Sequence, residues 1–140
     1  MLKKILVATD GSDHAGKAVE YACDIASKYD ATIYLIHVVS LPSYFYSEAS
    51  FEPLKDHAQR AGKEIMQAAE KKVREKGIER IQTFLAKGDP THEILQYAEK
   101  NDVDMIVLGS RGAGKLGMLM LGSVSHKVCN MAERTCVTVK

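Results

Sequence analysis

The chain has 140 residues, of which 46% are apolar and 26% charged. At roughly 100–200 residues per domain this predicts a single domain over residues 1–140, large enough to bury about 68–70% of the surface that the unfolded chain exposes. Nineteen basic side chains against 18 acidic ones leave a net charge of +1, which argues against nucleic-acid binding driven by bulk charge and against an acidic, disordered chain.

Strand-like and helix-like segments alternate along the sequence. Lys4–Thr9 is a near-continuous apolar run, as a buried parallel strand requires. Asp10-Gly11-Ser12-Asp13 carries turn and cap chemistry. His14–Lys28 follows with Ala18, Val19, Ala22, Cys23, Ile25 and Ala26 at helical spacing. Thr32–Val39 is a second buried strand, and Ser40–Ser50, with Pro42 and three aromatics, reads as a loop. A long helix is predicted from Glu52 to Lys76, stopped by Gly77. Ile78–Ala86 is a third, more polar strand, nearer an edge. Asp89 caps the next helix with Pro90 in its first turn, and that helix runs to about Asn101. Val103–Leu108 is a fourth strand, Gly109–Leu121 a glycine-rich stretch, Ser123–Met131 a short helix and Thr135–Val139 a fifth strand. Such alternation specifies an α/β fold: a parallel sheet with helices on both faces, joined by right-handed crossovers. A ligand of such a sheet sits at the carboxyl ends of the strands, near the switch point of the winding. Thr9–Asp13, Val38–Ser40 and Gly109–Ser125 occupy such ends.

The densest chemistry lies after the fourth strand. Gly109, Gly112, Gly114 and Gly117 fall within nine residues, and Gly122-Ser123 opens a helix. Glycines let the backbone approach an anion, and the free N–H groups at a helix start favour phosphate. The bland alternative is a flexible loop with a serine helix cap. Gly112-x-Gly114-x-x-Gly117 also matches the dinucleotide fingerprint, but it follows the fourth strand, where that motif belongs after the first. Gly109-x4-Gly114-Lys115 nearly fits a P-loop, but Leu116 replaces the hydroxyl that would hold magnesium, which disfavours Walker-type hydrolysis. Asp10, at the end of the first strand, can accept hydrogen bonds from a ribose or simply close a turn. The five histidines form no metal-binding spacing, and no catalytic residues or protein-held metal are predicted. Cys129 and Cys136 read as small buried apolar residues. The three cysteines form no C-x-x-C pair, so a disulfide framework is not expected and a reducing cytoplasm fits. No apolar run approaches the length of a membrane span, and no signal peptide is visible.

Gly109-x2-Gly112-x9-Gly122-Ser123 matches the G-x2-G-x9-G-[S/T] signature of ATP-binding universal stress proteins. The resemblance extends through KILVATDGSD, LIHV, GDPTHEILQYAEKNDVDMIVLGSRG and GSVSHKV, in order along essentially the whole chain. It implies an open, Rossmann-like five-stranded parallel sheet of order 3-2-1-4-5, with a homodimer through the last, C-terminal edge strand. It implies ATP in the crevice. By position, Ala8, Thr9 and Asp10 would line the adenosine side, with Asp10 near the ribose, and Val38 would contact the adenine. Gly109 and Gly112 would border the ribose and first phosphates, with Arg111 beside them. Gly122, Ser123, Val124 and Ser125 would cradle the phosphates. Mg²⁺ or Mn²⁺ would be held through phosphate oxygens. Ala8 stands where some ATP-binding relatives carry proline, and the chain ends at Lys140 directly after the last strand.

The resemblance implies a cytoplasmic, nucleotide-dependent switch or sensor in a stress response. Two alternatives remain: a slow ATPase or phosphotransferase using Asp10 or Asp13, and a dimeric scaffold with structural nucleotide. For the scaffold, the aromatic segment Leu41–Phe51 offers a surface for an unidentified protein partner.

Overall fold

A computed structural model describes residues 1–47, 49–111 and 122–140. Five strands form one parallel sheet of order β3-β2-β1-β4-β5: β1 (Lys4–Ala8), β2 (Thr32–Val39), β3 (Ile81–Lys87), β4 (Met105–Gly109) and β5 (Thr135–Val139). Four α-helices accompany them among the described residues: α1 (Asp13–Tyr29), α2 (Glu52–Glu75), α3 (Pro90–Lys100) and α4 (Ser123–Met131). This is the expected winding, with β1 central and β3 and β5 at the two edges.

The central strands are apolar along their length because both faces are covered. Ile5, Val7, Ile33, Leu35 and Val107 pack on one face with Ala18, Val19, Ala22 and Cys23 of α1 and Met66, Ala69 and Val73 of α2. Leu6, Ile36, Ile106 and Leu108 point the other way, onto Ile94 and Ala98 of α3 and Val128 of α4. Alternate residues of each strand thus feed two core layers, which is the period-two geometry of a pleated strand. Full burial of each Val, Leu or Ile side chain among these contributes about 1.5–3 kcal/mol.

The helix signals act largely as expected. Ser12 is the N-cap of α1, its hydroxyl accepting from the Ala15 N–H at 3.2 Å. Asp89 caps α3 by accepting from the His92 N–H at 2.9 Å, with Pro90 in the first turn. Gly77 ends α2 with φ of +85°, a left-handed conformation that glycine adopts at no steric cost. Three boundaries differ. The third strand begins at Ile81, because the Ile78 N–H still bonds the Val73 carbonyl of α2 and its buried side chain seals that helix end. The fourth strand begins at Met105 for the same reason, the Val103 N–H bonding the Ala98 carbonyl of α3. The segment Ser40–Ser50 holds 3₁₀ turns at Ser43–Tyr46 and Ala49–Phe51. There Phe45 packs on Phe51 with ring centroids 4.6 Å apart and planes tilted by 39°, while Tyr44 and Tyr46 stay exposed.

No helix among the described residues is long and apolar enough to cross a membrane.

Candidate functional site

The carboxyl ends of β1, β2 and β4 open onto a cleft of about 560 Å³, within the size range of small-molecule sites. It lies where the winding reverses at β1, the position where such sheets take ligands. Ala8, Thr9 and Asp10 reach it from β1, Val38 from β2, Gly109 and Arg111 from β4, and Gly122, Ser123, Val124 and Ser125 from the start of α4. Four segments spread over more than a hundred residues of sequence are therefore brought together. Gly112, with Gly114, Lys115, Leu116 and Gly117, lies outside the described residues.

Local chemistry fixes each segment. Asp10 Oδ1 accepts from the Ser12 N–H at 2.9 Å, and Thr9 Oγ1 accepts from the Gly11 N–H at 3.3 Å. These bonds turn the chain sharply through Gly11, whose φ is +81°. The turn sets Asp10 at the rim, a position that strand-end carboxylates reach only when the next residues fold away. The Thr9 carbonyl accepts from His37 Nδ1 at 2.7 Å, so that nitrogen carries a proton.

Ser110 ties three elements together just behind the cleft. Its side chain, 3% exposed, is hydrogen-bonded to His14 Nδ1 of α1 at 3.0 Å. Its N–H donates to the Val139 carbonyl of β5 at 2.8 Å, and its carbonyl accepts from the Gly122 N–H at 2.7 Å. The last bond anchors the head of α4. Gly122 is the N-cap of that helix and makes no side-chain cap bond, so the serine cap considered from sequence is not formed. Instead the Ser125 hydroxyl donates to the Gly122 carbonyl at 2.9 Å. The first N–H groups of a helix have no partner within it. Those of Ser123, Val124 and Ser125 are of this kind, and all three residues line the cleft. With the helix dipole behind them they suit an anionic group.

The opposite wall was not read from the sequence. Ala58, Ala61, Gly62 and Ile65 of α2 line the cleft, and their spacing of i, i+3, i+4 and i+7 is one helix face. That spacing was the available signal, but small residues in a helix also read as plain helix formers. Gly62 is what seats α2 here: a Cβ on it would stand 2.9 Å from Val39 Cγ2 and 3.1 Å from Leu85 Cδ1. The site therefore pairs an apolar slot, fit for a flat ring, with a polar end fit for phosphate. His14 and His37, which formed no motif in the sequence, turn out to brace its floor.

Cys129 and Cys136 are both half-buried, and their sulfurs lie 2.8 Å apart. The sequence treated them as separate apolar residues; the fold makes them neighbours.

A model of the universal stress protein family matches residues 1–140. The universal stress protein YxiE of Bacillus subtilis is 37% identical across 97% of this chain and 96% of its own. The structure of MJ0577 from Methanocaldococcus jannaschii superposes with a TM-score of 0.89 at 28% identity, covering 100% of this chain and 96% of that one. A universal stress protein solved in complex with cAMP superposes with a TM-score of 0.77, covering 99% of this chain and 97% of its own, and at 24% identity that likeness is one of fold. Sheet order, the cleft at the strand ends and a match over the full 140 residues converge: the chain belongs to the universal stress protein family.

Proposed function

We propose that the cleft binds an adenine nucleotide, ATP in the first instance, and that the protein works as a nucleotide-dependent switch or sensor in a stress response. The observation that carries this reading is one cleft bordered by Asp10, by the head of α4 and by the apolar face of α2. In it, the adenine ring lies between Val38 and the α2 wall. Ala8, Thr9 and Asp10 face the ribose, with Asp10 accepting from its hydroxyls. Gly109, Arg111 and Gly112 border the ribose and first phosphates, and Gly122, Ser123, Val124 and Ser125 take the remaining phosphates. Mg²⁺ or Mn²⁺ is held through phosphate oxygens. The G-x2-G-x9-G-[S/T] spacing supports the assignment, as does the protein of this fold solved with cAMP.

Asp13, the second acidic candidate for a base, is exposed on α1 and does not line the cleft, which favours binding over turnover. In the same reading the protein is a single-domain, cytoplasmic homodimer. Strand β5, hydrogen-bonded to β4 alone among the described strands, pairs its outer edge with a second copy.

The test is direct. The protein is purified without added nucleotide and denatured, and the supernatant is resolved by ion-exchange beside ATP, ADP, AMP and NAD standards; the refolded or ligand-free protein is then titrated with ATP. Gly122 has φ −48° and ψ 133°, which valine also adopts, so Gly122→Val obstructs the phosphate approach without backbone strain. Loss of most of the affinity in that variant supports the assignment. Wild-type affinity in Gly122→Val, or NAD in the eluate, overturns it.

A further inference from the structure

The cysteine pair lies away from the nucleotide cleft and has no part in the reading above. Cys129 sits near the end of α4, and Cys136 is the second residue of β5. Both sulfurs ride on firm elements. The Cys136 backbone is in register with Ile106 in the sheet. The turn between the two is pinned: the Ala132 N–H donates to the Val128 carbonyl at 2.8 Å, and Arg134 donates to the Val103 carbonyl at 2.8 Å and to Asp102 at 3.1 Å. The sulfurs are 2.8 Å apart as free thiols. A disulfide bond is about 2.05 Å long, so the two sulfurs must close by under about 1 Å. Both residues are half-buried, whereas Cys23 is 1% exposed in the opposite core layer.

We propose that Cys129 and Cys136 form an oxidisable dithiol, closed by a hydroperoxide into an intramolecular disulfide that staples the end of α4 to the edge strand β5. One sulfur attacks a peroxide oxygen, breaking the O–O bond and becoming a sulfenic acid while the oxidant leaves as an alcohol or water. The second sulfur then attacks the first and expels the hydroxyl as water. The two sulfurs lose two electrons and two protons, and the peroxide oxygens receive them. Burial, then the neighbouring Cys129 thiol, pushes the Cys136 thiol up to about 12. A thiol held in its protonated form is a slow nucleophile, so attack starting at Cys136 is slow.

The staple joins two parts of the fold that lead to the cleft. The other end of α4 supplies Ser123–Ser125, and the Val139 carbonyl of β5 holds Ser110. The test needs no nucleotide. Native protein is treated with hydrogen peroxide, remaining thiols are alkylated in denaturant, and the chain is cut after lysine and arginine. Cleavage after Lys127 and Arg134 separates the two cysteines onto peptides 128–134 and 135–140. The expected result is those two peptides joined, with the mass of two hydrogens lost, Cys23 alkylated, and the link released by dithiothreitol. Cys129→Ser and Cys136→Ser each abolish the link. Full alkylation of all three thiols after treatment, separate overoxidation of the two, or a link between two copies overturns the proposal. The wild-type map decides the matter even if a serine variant folds poorly.

Discussion

A Cβ on Gly109 would stand 2.7 Å from the carbonyl carbon of His14 and 2.8 Å from the Ala15 nitrogen. Both atoms are backbone in the first turn of α1, which the His14–Ser110 hydrogen bond ties to the end of β4. β1 and β4 are paired in parallel, so their ends share one cleft, and α1 starts against it. Gly109→Ala must therefore displace the head of α1 or the end of β4. Overpacking of this kind costs about 1–3 kcal/mol. Urea denaturation should show that loss, and ATP titration should show weakened binding from the same displacement. Unchanged values of both would mean that α1 shifts freely.

Asp10 can be separated into a structural part and a binding part. Its Oδ1 accepts from the Ser12 N–H, and asparagine keeps an oxygen there. Asp10→Asn should leave the urea midpoint close to wild type, but it removes the charge that strengthens a hydrogen bond from a ribose hydroxyl. Hydrogen bonds to charged groups contribute about 1.5–3 kcal/mol, so the ATP dissociation constant should rise by about tenfold or more in calorimetric titration. Asp10→Ala should lose both affinity and stability. Equal binding by wild type and Asp10→Asn would remove Asp10 from the site.

At the opposite end of the sheet, Asp104 Oδ2 accepts from the Lys3 and Lys4 N–H groups, each at 2.8 Å. Slight burial pushes its carboxyl upward, but these two bonds, with the nearby positive charge, outweigh it and hold the carboxyl below its ordinary value. A carboxyl whose folded value lies below its unfolded value of about 3.9 stabilises the fold above that pH. The stabilisation is lost as pH falls through the lower, folded value. Asp104→Asn should thus be less stable than wild type at pH 7, by under about 1 kcal/mol because the group is exposed and screened. The gap should narrow in urea titrations as pH falls below the unfolded value of about 3.9. A gap constant across that window would show that charge has no part in it.

How much of this was readable in advance depended on whether the relevant neighbour was local. Ile5, Leu6 and Val7 announced a strand because burial on both faces leaves no polar residue in the run. Asp10, Gly109 and Ser123 announced a site because strand ends and helix starts carry their own turn chemistry. Ile78 and Val103 were misread as strand residues, since an apolar side chain that seals a helix end looks the same in sequence as one that opens a strand. The pairing of Ser110 with His14, and of Cys129 with Cys136, needed the sheet order as well as the pattern. So did the apolar wall of α2, because the spacing of Ala58, Ala61, Gly62 and Ile65 gives a face but does not say what the face meets.

That wall yields the sharpest separation of binding from folding. Ala61 is half-buried and lines the cleft from α2, whereas its neighbour Gly62 is wedged against Val39 and Leu85. A large side chain at position 61 has the cleft to grow into; at position 62 it has none. Ala61→Phe should fill the slot proposed for the adenine ring and raise the ATP dissociation constant by about tenfold or more, as loss of a ring-sized apolar contact implies. Its thermal midpoint should stay near wild type, because phenylalanine is tolerated in a helix and buries its ring in the cleft. Gly62→Phe should instead lose stability, with overpacking costing about 1–3 kcal/mol or more. Calorimetric titration and thermal denaturation of the two variants side by side check both expectations. Full ATP affinity in Ala61→Phe would place the ring elsewhere than against α2.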